Sequence, residues 1–243
     1  MPELKTEFLN LPVSDGTTMR AFVAQPQNAA NLPGLLVFQE AFGVNEHIRD
    51  VTARFAKQGF VAIAPELFHR TAPPGFEGNY SDFSSVMPHI AALTDSRMET
   101  DIRAAYDALS KNSAADSKRT ACVGFCMGGR VSFLANLILP LRAAISFYGG
   151  GIAKSDRGPG FLARAAETHA PIFLFWGGLD KHIGPDQRRA VSEALRDARK
   201  TFAAMEFAGA DHAFFCDARP AYHKQAAEQS WSLSLAFLKS NLA

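Results

Sequence analysis

The sequence predicts an α/β protein: a mostly parallel central sheet, helices on both of its faces, and a β-hairpin at the N-terminal end. Three observations predict this. Short, nearly continuous apolar runs recur along the chain, as strands buried on both faces require. Segments of helical periodicity stand between those runs, and strands alternating with helices imply right-handed crossovers. No repeat, linker or low-complexity tract interrupts the alternation, so residues 1–243 read as a single domain.

The hairpin is read from "EFLNLPVSDGTTMRAFVAQP", two extended runs about Asp15 and Gly16, a pair that takes up positive φ readily. Strands follow at "PGLLVFQ" (33–39), "FVAIAP" (60–65), "TACVGF" (120–125), "AAISFYG" (143–149), "PIFLFWG" (171–177) and "TFAAMEFAG" (201–209). Helical spacing appears over 45–59, ending on Gly59, and over 96–112, where Met98, Ile102, Ala105 and Leu109 form one stripe. Residues 185–200 and 221–242 read as two further helices. The segment 68–89, rich in Gly, Pro, Ser and aromatic residues, fits neither pattern. A loop of that length serves as a substrate lid or a surface excursion.

Composition excludes several functions. Apolar residues make up 47% of the chain, enough for a large core rather than a disordered polymer. With 25 basic against 24 acidic residues and no basic block, neither nucleic acid nor an anionic membrane is an expected partner. No stretch approaches the roughly 18 apolar residues of a spanning helix, and no secretory leader is visible. Three widely spaced cysteines make no disulfide framework, and no CxxC or HExxH offers a zinc site. The expectation is a cytoplasmic protein, monomeric or a small homo-oligomer, without metal or cofactor.

Chemistry concentrates at "GFCMGGR" (124–130). The strand "TACVGF" ends at Cys126 and a helical pattern begins at Met127, which is the strand–turn–helix context of a nucleophile elbow. Glycines flank such an apex because the backbone is strained and neighbouring elements approach closely. A nearby helix N-terminus favours thiolate. By itself the pattern fits a structural glycine turn equally well. Downstream, "FLFWGGLD" delivers Asp180 and "MEFAGADH" delivers His212, each just after its own strand and in the chain order of this architecture. Singly, His212 reads as a surface histidine and Asp180 as a helix cap. Jointly they read as a triad: His212 moves the proton, Asp180 fixes its tautomer, and the backbone N–H of Met127 offers one oxyanion donor.

Those residues, with "VFQEAFGVNEHIRDVTARFAKQGFVAIAPELF", "FYGGG", "WGGLDKHI" and "GADHAFF", resemble the dienelactone hydrolase (carboxymethylenebutenolidase) family, a cysteine-using branch of the α/β-hydrolase fold. The resemblance runs from about residue 33 to the C-terminus. It implies hydrolysis of an ester or lactone, a small-molecule substrate, through an acyl-thioester on Cys126. It also implies that Glu40, otherwise readable as a solvated carboxylate, contacts and helps activate that cysteine, and that Ala41 supplies the second oxyanion N–H. Tyr148 matches a pocket-lining position, although a core aromatic is an equal reading of the residue. Members that act on dienelactone hold its carboxylate with arginines. Here one such position is Cys216, and Phe83 and Met87 stand near the other, which implies an altered substrate preference. The alternatives are a thioesterase or carboxylesterase for neutral substrates, and a non-catalytic thiol-based binding or sensor protein. Cys122 and Trp176 read as core, His182 as a loop histidine and His47 as a surface helix residue.

Overall fold

In the computed structural model, residues 2–154 and 160–243 are described. They form two compact units, Met1–Ala121 and Cys122–Ala243.

In the first unit the expected hairpin forms from β1 (Leu4–Pro12) and β2 (Thr18–Pro26), antiparallel with Leu4 opposite Pro26. Gly16 takes φ +85°, and the Asp15 carboxylate accepts bonds from the Thr17 N–H (3.1 Å) and hydroxyl (2.6 Å). Strand β3 (Leu32–Phe38) runs parallel to β4 (Val61–Pro65), and β2 lies antiparallel on the other side of β4. The order is β1-β2-β4-β3-β5, where β5 (Ala115–Phe125) leaves this unit after Ala121. The crossover helix α1 (Glu46–Lys57) starts at Asn45, whose side-chain oxygen accepts from the Ile48 N–H at 3.2 Å. Its buried stripe is Ile48, Val51, Thr52, Phe55 and Ala56, together with His47, only 5% exposed. The expectation of a surface His47 is thus corrected. Positions 47, 51 and 55 recur every fourth residue and share one helix face.

Residues 68–89 are less irregular than their composition suggests. They contain a 3-10 turn at Phe83–Ser85 and the start of α2 (Met87–Ala92). Gly78 N–H donates to the Phe42 carbonyl (3.0 Å), Asn45 donates to the Tyr80 hydroxyl (2.8 Å), and Arg49 donates to Glu77 (2.6 Å). Helix α3 (Asp95–Ser110) buries the expected Met98, Ile102, Ala105 and Leu109. It also buries Asp101, which the guanidinium of Arg70 grips with two bonds of 2.8 Å while His69 Nε2 approaches to 3.1 Å. Burying a carboxylate without such partners would be costly.

The second unit begins with the end of β5 from Cys122 to Phe125, then α4 (Met127–Ile138), β6 (Ala143–Phe147), a 3-10 segment Leu162–Glu167, β7 (Ile172–Gly177), α5 (Pro185–Asp197), β8 (Phe202–Phe207) and α6 (Lys224–Asn241). Its strands follow the order β5-β6-β7-β8, with β6, β7 and β8 parallel. Every residue of β6 and β7 is buried, as continuous apolar runs require. Strand β8 departs from that expectation, with no residue fully buried, because it is last in the order. Phe125, Phe147 and Phe175 stack across β5, β6 and β7, with centroids 4.8 and 4.7 Å apart. These rings form an aromatic rung at the last residues of β5 and β6 and two residues before the end of β7.

Candidate active site

The chemistry gathers at the C-terminal ends of β5, β7 and β8, all in the second unit. Cys126 sits between β5 and α4 with φ +54° and ψ −118°. A side chain in this region costs about 1–3 kcal/mol, so surrounding structure must impose it. Cys126 N–H donates to the Phe147 carbonyl (3.0 Å), and Gly129 N–H donates to the Cys126 carbonyl (2.9 Å). The glycine frame has a steric cause. A Cβ at Gly124 would run into the Gly128 carbonyl, and one at Gly129 would lie 2.6 Å from the Phe147 oxygen. Strand, turn and helix therefore meet more closely than alanine permits.

A similar close approach brings the other two residues together. Gly178 N–H donates to Phe207 O (2.8 Å) and Leu179 N–H to Ala210 O (2.9 Å), stitching the turn after β7 to the loop after β8. A Cβ at Gly177 would come within 2.6 Å of that same Ala210 oxygen, and one at Gly178 within 2.7 Å of Ala208 backbone. The paired glycines of "WGGLD" thus let Asp180 and His212 face one another. Asp180 Oδ2 lies 2.7 Å from His212 Nδ1, and His212 Nε2 lies 3.1 Å from Cys126 Sγ. An ionised carboxylate only accepts, so Nδ1 carries the proton and Nε2 faces sulfur.

The second carboxylate oxygen of Asp180 accepts from the N–H groups of His182 (2.8 Å) and Ile183 (3.1 Å). Burial raises the Asp180 pKa, but the His212 hydrogen bond and charge and these two N–H groups outweigh it, holding it below the usual carboxylate value. Burial likewise lowers His212. The charge of a Cys126 thiolate and the bonds to Asp180 and Cys126 reverse that, and its pKa is pushed up to about 10. A charged sulfur and a charged imidazole would thus support one another across this contact.

The other expected residues fall as follows. Met127 is the first residue of α4, directly after the thiol. Tyr148 is fully buried, with φ +37° and its ring 5.1 Å from that of His212. Cys216 is fully buried in the loop after His212, and Cys122 is buried with its thiol pushed up to about 12 by desolvation. Glu40 and Ala41 follow β3 in the first unit, 1% and 2% exposed. Phe83 and Met87 of that unit are 52% and 44% exposed, Phe83 with its ring 6.0 Å from Phe42. Three features near the triad were not foreseen. His182 places its ring 5.3 Å from His212, Leu179 is 57% exposed beside Asp180, and Ala213 takes φ +65° directly after the histidine. Only the first had a sequence signal, its nearness to Asp180. Among the described residues no group of three or more His, Cys, Asp or Glu side chains could hold a metal, and no helix is long and apolar enough to cross a membrane.

Residues 19–242 match the dienelactone hydrolase family. A protein of Escherichia coli O157:H7 described as "Putative carboxymethylenebutenolidase" is 35% identical, the match covering 96% of this chain and 86% of that protein. One of Synechocystis with the same description is 30% identical over 94% of both. A crystal structure described as "Putative Dienelactone Hydrolase" from Klebsiella pneumoniae superposes with a TM-score of 0.89 at 32% identity, covering 98% of this chain and 99% of that one.

Proposed function

Because the chain belongs to the dienelactone hydrolase family, with its α/β-hydrolase fold and its ester- and lactone-hydrolase character, we propose that Cys126 is the nucleophile of a reaction passing through an acyl-thioester. One observation carries the proposal: a thiol at a strained apex, 3.1 Å from a histidine that is itself 2.7 Å from a buried carboxylate. Nucleophile, base and orienting group stand in the relation that covalent acyl transfer needs.

The steps follow from the proton positions. His212 Nε2 takes the Cys126 thiol proton, the sulfur attacks the acyl carbon, and the C=O electron pair moves onto oxygen, where the Met127 N–H donates to it. Collapse breaks the C–O bond, and the departing alkoxide takes the proton from His212 Nε2. His212 then accepts a proton from water as the water attacks the thioester. Collapse of that second adduct breaks the C–S bond and restores the thiolate, leaving the carboxylic acid. Asp180 stabilises the imidazolium in each half-reaction. For Ala41 we propose the second oxyanion donor and for Glu40 a part in activating the thiol, both on the family resemblance. Phe83 and Met87 are proposed as substrate contacts, and Tyr148 and Cys216, both fully buried, as residues that back the pocket from behind its surface.

For substrate we favour a neutral ester or lactone. Cys216 offers no charge to a carboxylate, and Leu179 presents an exposed apolar side chain next to Asp180. The same Leu179 favours a second reading, a thioesterase or carboxylesterase for neutral acyl groups. A thiol sensor would have no use for an aligned acid and base.

The test is steady-state hydrolysis of dienelactone, a neutral unsaturated lactone, an aryl ester and an acyl thioester by wild type, Cys126→Ala, His212→Ala and Glu40→Gln. Neutral substrates should turn over, dienelactone should lag, and Cys126→Ala should be inactive. Unchanged turnover by Cys126→Ala would remove the nucleophile, and rapid dienelactone hydrolysis would remove the substrate preference.

A further inference from the structure

Arg188, on α5, is a cation that the hydrolytic mechanism does not use. It is 6% exposed, which is costly for a guanidinium unless something fixes it there. Its Nη1 donates to the carbonyl of Gly177 at 2.5 Å, and its Nε lies 3.4 Å from a carboxylate oxygen of Glu206, an ion-pair contact without hydrogen-bond geometry. Gly177 is the last residue of β7, and Glu206 is the penultimate residue of β8. One planar group thus spans the ends of the two strands that deliver Asp180 and His212.

The Gly177 carbonyl has a second partner. Asp180 N–H approaches it at 3.4 Å, so this oxygen opens the turn that carries the acid. Gly177 also abuts the Ala210 and Asp211 carbonyls, two residues and one residue before His212. A group that holds this peptide in place holds both loops in register. Lysine would place a single point charge here, whereas the guanidinium fork can serve two acceptors at fixed separation.

We propose that Arg188 is a positioning residue for the Asp180–His212 pair, setting the distance between the two loops by clamping the Gly177 carbonyl to Glu206. The proposal rests on the hydrolytic reading of that pair. It touches neither substrate nor thiol and acts through the strand ends.

The experiment compares wild type with Arg188→Met, Arg188→Lys and Glu206→Gln. It measures kcat and KM on an aryl ester, and the proton resonance of the His212 Nδ1–H, which reports its bond to Asp180. Arg188→Met should lower kcat about ten-fold through misalignment of the pair while KM stays within about two-fold. It should also shift the low-field resonance. Arg188→Lys should recover part of both. Glu206→Gln, at a half-exposed position that threatens folding little, should show a smaller change of the same sign. A lower melting temperature with unchanged kcat and resonance in Arg188→Met and Glu206→Gln would overturn the proposal, as would a rise in KM alone. Should Arg188→Met not fold, Glu206→Gln decides by the same readouts. Cys126→Ala, run alongside, separates the two readings. If it keeps full activity the nucleophile assignment falls, and the resonance still tests Arg188. If it is inactive while the Arg188 variants match wild type, only the Arg188 proposal falls.

Discussion

At the scale of single residues, a thiol held at φ +54° and a histidine with its pKa pushed up to about 10 belong to one electrostatic unit. The raised value ties stability to pH. A group whose folded pKa exceeds its unfolded value of 6.5 stabilises the fold fully below that value, and the benefit disappears as pH rises through about 10. Asp180 has the opposite sign. Its pKa is lowered, so its contribution is present above the unfolded 3.8 and is lost as pH falls through the folded value. Thermal unfolding of wild type against His212→Gln should therefore show the largest gap between about pH 5 and 6.5. The gap should narrow progressively towards about pH 10, and it should narrow again in strong acid. A gap that widens from neutral to alkaline pH would show that His212 is not held as the imidazolium. Sequence reasoning reached this unit because each of its residues is a chemically distinctive type after an apolar run. Arg188 was invisible to the same reasoning, since a helical arginine ordinarily faces water and only the structure shows its burial.

At the scale of elements, the meeting of β5 with α4 depends on missing side chains. Gly124→Ala would place a methyl group against the Gly128 carbonyl and within 2.9 Å of the Ser132 hydroxyl. Backbone cannot rotate away as a side chain can, so the turn itself must open. We expect about 1–3 kcal/mol of lost stability and about a hundred-fold lower kcat as the apex leaves its place over the helix. Melting temperature and steady-state rates measured on one preparation would test this. A variant that loses stability but keeps kcat would mean the elbow tolerates the shift. Elements also show where sequence patterning stops. Strands β6 and β7 were legible because both of their faces are buried. The first half of β5, Ala115–Arg119, was not, because its residues are half-buried or exposed and carry no apolar run. Helix α2 begins at Met87 next to Pro88, a residue suited to a first turn, inside a stretch whose composition otherwise reads as loop.

At the scale of the whole molecule, fold class, strand sequence and family were all legible, because alternating buried strands and amphipathic helices leave a periodic trace that single substitutions do not erase. The form of 68–89 was not legible, since such a loop is shaped by particular hydrogen bonds and ring contacts rather than by period. The distribution of sulfur over the molecule carries one more consequence. Of the three cysteines, none in a disulfide, Cys122 and Cys216 are fully enclosed, and only Cys126 reaches solvent. Cys122 is further silenced by its thiol being pushed up to about 12. A folded preparation should therefore take up one equivalent of a maleimide per chain, rising to three on denaturation. The chain carries its own internal standard: a single reagent counts folded molecules, and, with Cys126 in its proposed role, a preparation's specific activity can be expressed per accessible thiol rather than per milligram.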